Sequence, residues 1–561
     1  MADYQVVGAN ASAEFTLKIH RGEGMALLAM NWRSGEPPED FVGFAIDYRE
    51  PGSTRWLNTP NRLSFEGTPN PAGAKTFNTH VAPIQKFRWV VFPFNADLPG
   101  KFAFRVTPVF MAADGRLSEG EPQSAELALA TQTHGDRLNV TFTRGYVASQ
   151  GFVDRYSEDG PISALLPGKA RDGLDYKPTH PKKDEALPWM GAEARREILK
   201  LLDEAVADRT AKVSVVAYDF SAEEVFCRLK ALGNRLRIII DDSGEHGEDE
   251  SGETKAAARL TAAGAEVRRQ HMGRLQHNKV IIVDGAKKRA VCGSTNFTWR
   301  GLYVQANHAV IVSGRSSIVP FQRAFEDYWV QAGFANSGST DWQPLGIPNV
   351  GVKVSFSPHP AANAALKNIG DDNDAAQSSV LYSLAFLSQT PGAVTEALEA
   401  ATNSNRFVYG ISDKRTGFEL LKPDGNPAPV YFSRLEKNLP APFKPEPNAG
   451  TGTNMHHKFI VLDFDTPDAR VWFGSYNFSH SADRTNGENL LIARDRKIAT
   501  SFMVEAIRIF DQYHFRVVQR DAKKARKRLE LRKCPAISGQ SPWWQEDYTV
   551  ASKIRDRKVF S

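Results

Sequence analysis

Two copies of one short pattern, His-x-Lys-x4-Asp, constrain what this chain folds into more than any other feature. The first copy, HNKVIIVDG, contains His277, Lys279 and Asp284, and the second, HHKFIVLDF, contains His456, Lys458 and Asp463. Each copy is followed by a similar turn, CGSTNFT with Ser294 and Asn296, then FGSYNFS with Ser475 and Asn477. A single short motif can match by chance, whereas two copies with matching turns are not plausibly chance. The chain is therefore predicted to contain an internal duplication.

The residue types of the pattern suit chemistry at phosphorus. The residues VIIV and FIVL after each histidine are continuously apolar, as in a buried strand. Because side chains alternate along a strand, His277 and Lys279 share a face, and His456 rather than His457 pairs with Lys458. A neutral imidazole attacks phosphorus, a protonated one supplies a proton to the leaving oxygen, and lysine adds positive charge without a metal. The pattern predicts a phosphodiester-cleaving site that needs no cofactor and no metal.

The residues around each pair complete the candidate site. Amide and hydroxyl groups on the Gly-Ser-x-Asn turns can donate to phosphoryl oxygens, and we assign phosphate binding to Ser294, Asn296, Ser475 and Asn477. Asp284 and Asp463 complete the catalytic set of each motif. They fall at the ends of the predicted strands, where we expect them to anchor the structure through buried hydrogen bonds or ion pairs.

Over about residues 190 to 515, these motifs resemble those of the phospholipase D superfamily. The resemblance implies two pseudo-symmetric lobes with one active site at their shared face. In that family an acidic residue downstream of one motif orients the histidine of the opposite half. Carried over, Glu488 in RTNGENLL orients His277, whereas His456 is left with a neutral partner, Asn307 or Gln305 in YVQANHAV.

This asymmetry favours His277 as nucleophile and His456 as general acid, because a carboxylate partner stabilises an imidazolium that develops charge. The arrangement is similar to that of tyrosyl-DNA phosphodiesterases. Those enzymes lack the motif aspartate that both halves of this chain contain.

The order of predicted elements indicates the α/β class, with duplicated lobes that each hold a mixed β-sheet flanked by helices. The first lobe is predicted over 189–340 and the second over 341–515. Residues 1–135 read as short strands separated by turns and predict a β-sandwich-like module, weakly similar to fibronectin type III and immunoglobulin-like domains. The polar, interrupted stretch 136–188 is interpreted as a linker.

Charge is concentrated near the end of the chain. The net charge is +5, yet residues 516–533 carry nine Lys or Arg against two acidic residues. We interpret 516–561 as a basic C-terminal helix and tail that can contact an anionic surface, either nucleic acid or membrane. A solvated helix end explains the same charges equally well.

The cysteine content and the absence of long apolar runs bear on the expected cellular location. The three cysteines, Cys227, Cys292 and Cys534, are scattered and predict neither a disulfide framework nor a zinc site. No signal peptide and no membrane-spanning run is visible, so a cytoplasmic protein with possible peripheral membrane contact is expected.

Three functions remain open at this point. Hydrolysis of a phospholipid head group through a covalent phosphohistidine is the leading expectation. A metal-independent nuclease is the alternative, favoured by the basic stretch. A non-catalytic binding protein is the third, although no motif residue is missing. The substrate is thus a phospholipid or a nucleic acid, and the partner of the N-terminal module is unknown.

Overall fold

The computed structural model describes residues 4–70, 72–145, 149–168, 172–385, 387, 391–412, 420–421, 427–428, 430–431 and 455–561. The chain divides into two compact units. The first unit comprises Met1–Thr131, Leu421–Pro427 and Thr500–Ser561, and the second comprises Gln132–Leu420 and Ala428–Ala499.

The first unit is a β-sandwich. A four-stranded antiparallel sheet, in the order β1-β2-β3-β8, and a second sheet built on β10-β9-β4-β5 with β11 beside β9 enclose one hydrophobic core. Alternate residues of the long strands point into that core, which contains Phe15, Phe44 and Phe104. The strands are β1 Gln5–Val7, β2 Phe15–Gly22, β3 Met25–Trp32, β4 Phe41–Arg49, β5 Leu57–Asn58, β6 Pro60–Asn61, β7 Phe77–Asn78, β8 Arg88–Val91, β9 Lys101–Met111, β10 Leu117–Glu119 and β11 Gln123–Ala128.

The second unit contains two lobes, and the first is a seven-stranded mixed sheet in the order β12-β18-β17-β16-β13-β14-β15. Strands β13, β14 and β15 are parallel, whereas β16, β17, β18 and β12 are antiparallel to their neighbours. The strands are β12 Leu138–Phe142, β13 Lys212–Ala217, β14 Leu236–Ile240, β15 Glu266–Arg269, β16 Lys279–Asp284, β17 Lys288–Gly293 and β18 His308–Ser313. The helices are α1 Ser149–Tyr156, α2 Lys183–Ala207, α3 Glu223–Leu232, α4 Gly252–Ala262, α5 Trp299–Tyr303 and α6 Arg315–Val330.

The second lobe repeats this strand order. Its sheet runs β19-β20-β28-β27-β26-β21-β22-β25. Its strands are β19 Gln343–Pro344, β20 Gly351–Ser357, β21 Ser379–Leu384, β22 Phe407–Ser412, β25 Val430–Tyr431, β26 Lys458–Leu462, β27 Arg470–Gly474 and β28 Glu488–Arg494. Two short strands, β23 Leu420–Leu421 and β24 Pro427–Ala428, form a separate two-stranded sheet. The helices are α7 Leu366–Asp374, α8 Ala393–Thr402 and α9 His480–Arg484. The motif strands β16 and β26 occupy equivalent central positions, so the predicted duplication and the α/β class are confirmed.

The interpretation of 136–188 as a linker is wrong. Strand β12 lies within this stretch and pairs antiparallel with β18, from Leu138 opposite Val312 to Phe142 opposite His308. It occupies the position that β20 has in the second lobe. Helix α1 and the start of α2 also lie in this stretch. The first lobe therefore begins about fifty residues earlier than predicted, because a strand inside a polar stretch is recognised only by the sheet that it joins.

The segment 516–561 is not a separate basic tail. Helix α10, Arg496–Lys524, begins before it, and α11 Pro535–Ser538, α12 Gln545–Thr549 and α13 Ala551–Val559 follow. Trp544 is buried in the sandwich core, and the Trp543 ring stacks on Phe87 with centroids 5.2 Å apart. Trp543 also donates its indole N–H to the Phe41 carbonyl at 3.1 Å. Burial of these aromatic side chains makes the segment part of the first unit.

Within the described part of the chain, no helix is both long enough and apolar enough to cross a membrane. Cys227, Cys292 and Cys534 are free thiols.

Candidate active site

The two His-Lys pairs meet where the lobes join. His277 immediately precedes Asn278 and β16, and His456 stands in the same relation to β26. Two isolated parallel bridges join the lobes. One links Gln276, before β16, to Gly487, before β28, and the other links Met455, before β26, to Ala306, before β18. His277, Lys279, His456 and Lys458 are each no more than 4% exposed. The duplicated motif thus forms one buried site from both lobes.

Glu488 is the partner of His277. The Nδ1 atom of His277 lies 2.8 Å from Oε2 of Glu488, although the two residues are 211 positions apart. Glu488 begins β28 in the second lobe, and it is fully buried. Because Nδ1 is occupied by a carboxylate, Nε2 is the ring nitrogen left to react. The contact that the resemblance implied is therefore present.

Asn307 is the partner of His456. The Nδ1 atom of His456 lies 2.9 Å from Oδ1 of Asn307 and 3.1 Å from the Ser294 carbonyl oxygen. Because a carbonyl oxygen only accepts, Nδ1 of His456 carries the proton, and Nε2 is again left free to react. Gln305, the other residue that the sequence allowed as a partner, instead accepts from Asn307 through Oε1 at 3.4 Å.

Burial and positive charge keep both histidines neutral in the resting site. Burial lowers the pKa of His277 well below its usual value, and Lys279 and Lys458 lower it further. The pKa of His456 falls for the same reasons, burial first, then Lys458 and Lys279. A neutral His277 has a lone pair available for attack at neutral pH. Each lysine acts on both histidines, which is expected of a single site.

Charge on the neighbouring groups is also set by burial. Burial raises the pKa of Glu488 to about 8, against the opposing effects of Lys279, Ser475 and Lys458. His277 and Glu488 share one proton across their contact, and Nε2 of His277 is free to react when that proton lies on Nδ1 and Glu488 is the carboxylate. Burial lowers the pKa of Lys279 to about 7, so this lysine gains its full charge as pH falls below neutrality or as a phosphate anion binds.

The hydroxyl groups of the two serines face the residues that contact the histidines. Ser475 donates its hydroxyl to Oε2 of Glu488 at 2.7 Å, and Ser294 donates to Oδ1 of Asn307 at 2.9 Å. These hydrogen bonds suit a positioning role, and the assignment of Ser294 and Ser475 to phosphate binding stays a prediction.

The two turn asparagines remain available for a phosphate. Asn296 is 4% exposed and donates from Nδ2 to Oδ2 of Asp219 at 3.2 Å, which leaves its second amide hydrogen uncommitted. The Oδ1 atoms of Asn296 and Asn477 are buried without a hydrogen-bond partner. These amides keep their assignment as candidate phosphate-binding groups.

The motif aspartates lie at the far ends of their strands. Asp284 ends β16, where Lys288 donates to it at 2.7 Å and Gln322 at 2.9 Å. Asp463 follows β26, where it accepts from Arg470 at 2.9 Å and from the backbone N–H groups of 377–379. At about 3.3 Å per residue, the backbone of each aspartate lies about 16 Å along the strand from that of its lysine. The aspartates make the anchoring contacts that the sequence predicts, and their place in the catalytic set stays a prediction.

Sequence reasoning missed several residues around the site. Tyr218 packs edge-on against His277 with ring centroids 4.5 Å apart, and Lys279 Nζ lies 4.6 Å from the centroid of the Tyr218 ring. Two further pairs join the lobes, and each is formed by the residues directly after a motif histidine and its partner. Asn278 contacts Asn489 at 2.9 Å, and His308 contacts His457 through Nδ1 atoms 3.3 Å apart. The second histidine of HHK and the asparagine after Glu488 were visible signals of this pairing.

A group of possible metal ligands also lies in the first lobe. The ligand atoms of Asp219, His246 and Glu253 are all within 4.8 Å of one another. Sequence spacing did not reveal this group, because its members come from three separate segments.

Replacing Glu488 tests the orientation of His277. Glu488→Gln is expected to lower kcat on a small aryl phosphodiester by about 10²–10⁴-fold, because an amide N–H in place of the carboxylate favours the wrong histidine tautomer. The rate of nitrophenolate release from bis(p-nitrophenyl) phosphate measures this loss. Glu399→Gln, an exposed glutamate of the same lobe, is the matched control. An unchanged rate in Glu488→Gln contradicts the positioning role.

The sequence of this chain is similar to those of several known proteins. The family model described as "Cardiolipin synthase, PLD-like domain" matches residues 198–329 and 373–510, one segment in each lobe. The chain is similar to a phospholipase D of Rickettsia prowazekii, with 42% identity over 48 residues, which are 9% of this chain and 22% of that protein. It is also similar to a mitochondrial cardiolipin hydrolase of Xenopus tropicalis, with 41% identity over 59 residues, 10% of this chain and 26% of that protein.

Among solved structures, the phosphatidylserine synthase of Haemophilus influenzae aligns with a TM-score of 0.41 and 12% identity, over 60% of this chain and 92% of that chain. The chain matches about a quarter of the length of the two curated relatives.

Proposed function

Because the chain belongs to the phospholipase D superfamily, we propose that it cleaves phosphodiester bonds through a covalent phosphohistidine, with a phospholipid head group as the leading substrate. The observation that carries the proposal is the asymmetric pair of buried histidines. His277 contacts a carboxyl group and His456 contacts a neutral amide, and both face one site with two lysines.

In the first proposed step, Nε2 of His277 attacks phosphorus, and the phosphorus–oxygen bond to the leaving alcohol breaks. Proton transfer from Nε2 of His456 makes that oxygen a better leaving group. Burial keeps His456 neutral in the free site. A bound phosphate anion favours the protonated form of His456, which can then act as the general acid. Lys279 and Lys458 balance the phosphoryl charge, and Glu488 stabilises the positive charge on the phosphorylated imidazole.

In the second proposed step, water attacks the phosphohistidine. His456, now neutral, accepts the proton of that water, the phosphorus–nitrogen bond breaks and His277 is regenerated. An alcohol in place of water yields transfer of the phosphoryl group rather than hydrolysis. The nucleophile and the acid-base group are thus both histidines.

The phospholipid assignment is supported by the names of the relatives, a phospholipase D and a cardiolipin hydrolase. A nuclease is the second candidate, and it is favoured by four exposed basic residues at the end of α10 and just after it: Lys524, Arg526, Lys527 and Arg528. Both substrates present the same phosphodiester to the histidines.

One assay separates the candidates. Purified full-length protein is offered phosphatidylcholine vesicles, cardiolipin vesicles, and single- and double-stranded DNA in separate reactions. Release of head group or of phosphatidic acid supports the lipid enzyme, and DNA cleavage alone supports the nuclease. The absence of turnover on all of these and on bis(p-nitrophenyl) phosphate overturns the enzymatic proposal and leaves a binding protein.

Chelation is expected to leave the chemistry intact. In EDTA, the initial rate on bis(p-nitrophenyl) phosphate at 25 °C should stay within about threefold of the untreated rate, because histidines and lysines supply the nucleophile, the acid and the charge. Initial rates before and after removal of the chelator provide the measurement. A rate that disappears in EDTA and returns with one divalent ion contradicts this expectation.

Neutralising the basic stretch is expected to change binding rather than chemistry. Replacing Lys523, Lys524, Arg526, Lys527 and Arg528 with glutamine should weaken binding to anionic vesicles or DNA and flatten its salt dependence, because screened charge supplies that affinity. The rate on bis(p-nitrophenyl) phosphate should be unchanged, since a small substrate needs no extended basic surface. Binding measured at several salt concentrations decides the point. If binding does not change, these residues are only a solvated helix end.

A further inference from the structure

A second polar cluster lies in the first lobe and takes no part in the reaction described above. Asp219 follows β13, His246 lies in a single 3-10 turn after β14, and Glu253 stands in the first turn of α4. Their ligand atoms all lie within 4.8 Å of one another. In the described part of the chain, no lysine or arginine forms an ion pair with Asp219 or Glu253.

Each of these three side chains also makes a hydrogen bond to a residue outside the cluster. His246 Nδ1 lies 3.0 Å from Oδ1 of Asp241, Glu253 Oε1 accepts the Phe220 N–H at 2.7 Å, and Asp219 Oδ2 accepts from Asn296. A histidine whose Nδ1 is bonded to a carboxylate presents Nε2 as a fixed, basic ligand. Metal-ligating histidines almost always have such a partner, so the cluster has the supporting bonds expected around an ion.

Asn296 lies at the edge of this cluster. The Asn296 side chain reaches the cluster through its contact with Asp219, and it is 4% exposed. Its Oδ1 atom has no hydrogen-bond partner. Because Nδ2 is the atom that faces Asp219, the amide donates to the cluster, and the donor atoms left for a cation are those of Asp219, His246 and Glu253.

We propose that Asp219, His246 and Glu253 bind one divalent transition-metal ion, of the zinc or manganese class. One imidazole nitrogen and two carboxylate oxygens form a mixed donor set. Calcium and magnesium prefer all-oxygen sites, and copper(I) prefers sulfur, so the donor chemistry selects borderline ions.

The site is coupled to the active site by two contacts. The Tyr218 ring lies between His246 and His277, with centroids 4.6 Å and 4.5 Å from theirs. Asp241, which orients His246 through Oδ1, accepts the Gln276 N–H through Oδ2 at 2.6 Å, next to His277. A bound ion therefore lies beside the Asn296 turn and the start of the first motif strand, but it stands outside the phosphoryl-transfer steps, so activity in EDTA is expected to persist.

The test measures metal binding directly and needs no substrate. Full-length protein without an affinity tag is stripped with EDTA, dialysed, and titrated calorimetrically with ZnCl₂ and with MnCl₂. One ion per chain is expected, with a melting temperature that rises with metal concentration. Cobalt(II) is expected to give visible absorption bands typical of bound nitrogen and oxygen ligands.

Two variants locate the site. Glu253→Gln keeps an oxygen for the Phe220 N–H but removes the charge, and His246→Gln removes the imidazole. Each should weaken binding at least about tenfold. Glu248→Gln, an exposed neighbour in the same loop, is the matched control and should bind as the wild type does. Circular dichroism of the metal-free variants verifies folding.

Three results overturn the proposal. The first is no binding by the wild type of any of the three ions at millimolar concentration. The second is equal binding by Glu253→Gln and Glu248→Gln, which places the ion elsewhere. The third is thermal protection by choline or ethanolamine but not by metal, which assigns the cluster to a substrate ammonium group. Because turnover is not measured, failure here is distinct from failure of the phosphodiesterase proposal.

Discussion

His277→Ala is expected to abolish the covalent phosphoenzyme and to lower kcat by roughly 10⁴-fold or more, a loss of more than about 5 kcal/mol of transition-state stabilisation. The physical reason is that Nε2 of His277 is the neutral, correctly oriented nucleophile, since Nδ1 is held 2.8 Å from Glu488. Intact-protein mass spectrometry after rapid alkaline quenching detects the phosphoenzyme, because phosphohistidine is labile in acid. Steady-state rates on bis(p-nitrophenyl) phosphate measure the loss in kcat.

His271→Ala is the matched control for this variant. The His271 side chain is 53% exposed and lies in the same lobe, six residues before His277, so its removal should leave the rate and the phosphoenzyme unchanged. If His277→Ala still traps phosphate at full stoichiometry, the nucleophile is another residue, and His456 is the first candidate.

The effect of His456→Ala on the rate is expected to depend on the leaving group of the substrate. With an alkyl phosphodiester, the rate should fall by about 10²–10⁴-fold, because the departing alkoxide receives no proton. With a nitrophenyl ester the first step should be nearly normal, since nitrophenolate leaves without protonation. The phosphoenzyme should then accumulate, because the variant also lacks the base that activates water.

Pre-steady-state kinetics test this expectation. A burst of nitrophenolate followed by a slow steady state, with phosphate bound to His277, supports the assigned roles. Equal losses on both leaving groups, without a burst, contradict the assignment of His456 as the acid. A trapped phosphoenzyme in His277→Ala but not in His456→Ala shows that the two histidines have exchanged roles.

The placement of the two His-Lys pairs was predictable from the sequence because it is encoded locally. The two-residue spacing of His277 and Lys279 puts both side chains on one face of a strand, and this follows from backbone geometry alone. The duplication then implied that the two pairs share a site. The difference between Glu488 and Asn307, read at equivalent positions, correctly predicted which partner each histidine contacts.

The sequence did not show contacts that form when neighbouring strands of a sheet come together. Ser294 and Ser475 lie on turns typical of phosphate binding, but the chain returns thirteen residues later and places Asn307 and Glu488 within reach of their hydroxyls. Strand β12, with the sequence LNVTF, resembles VKVSF in β20, and this likeness was available in the sequence. Its polar surroundings concealed it.

The C-terminal segment shows the same limit. Its basic charges suggested a solvated tail, whereas Trp543 and Trp544 pack against the sandwich core formed by the first part of the chain. Nothing local to these residues shows which apolar surface they cover. These tryptophans pack against residues more than four hundred positions earlier in the chain, and only the folded structure shows that contact.

The sequence by itself determined the class of fold and the duplication, and it predicted the histidines and lysines that are proposed to act on phosphorus, because strand periodicity and residue chemistry are properties of short segments. The tertiary structure alone decided three further points. It showed that Asp284 and Asp463 make anchoring contacts at the far ends of their strands, that the two serine hydroxyls donate to Glu488 and Asn307, and that Asp219, His246 and Glu253 lie together. Those outcomes depend on contacts that arise only when sheets, turns and lobes pack and that no local pattern specifies.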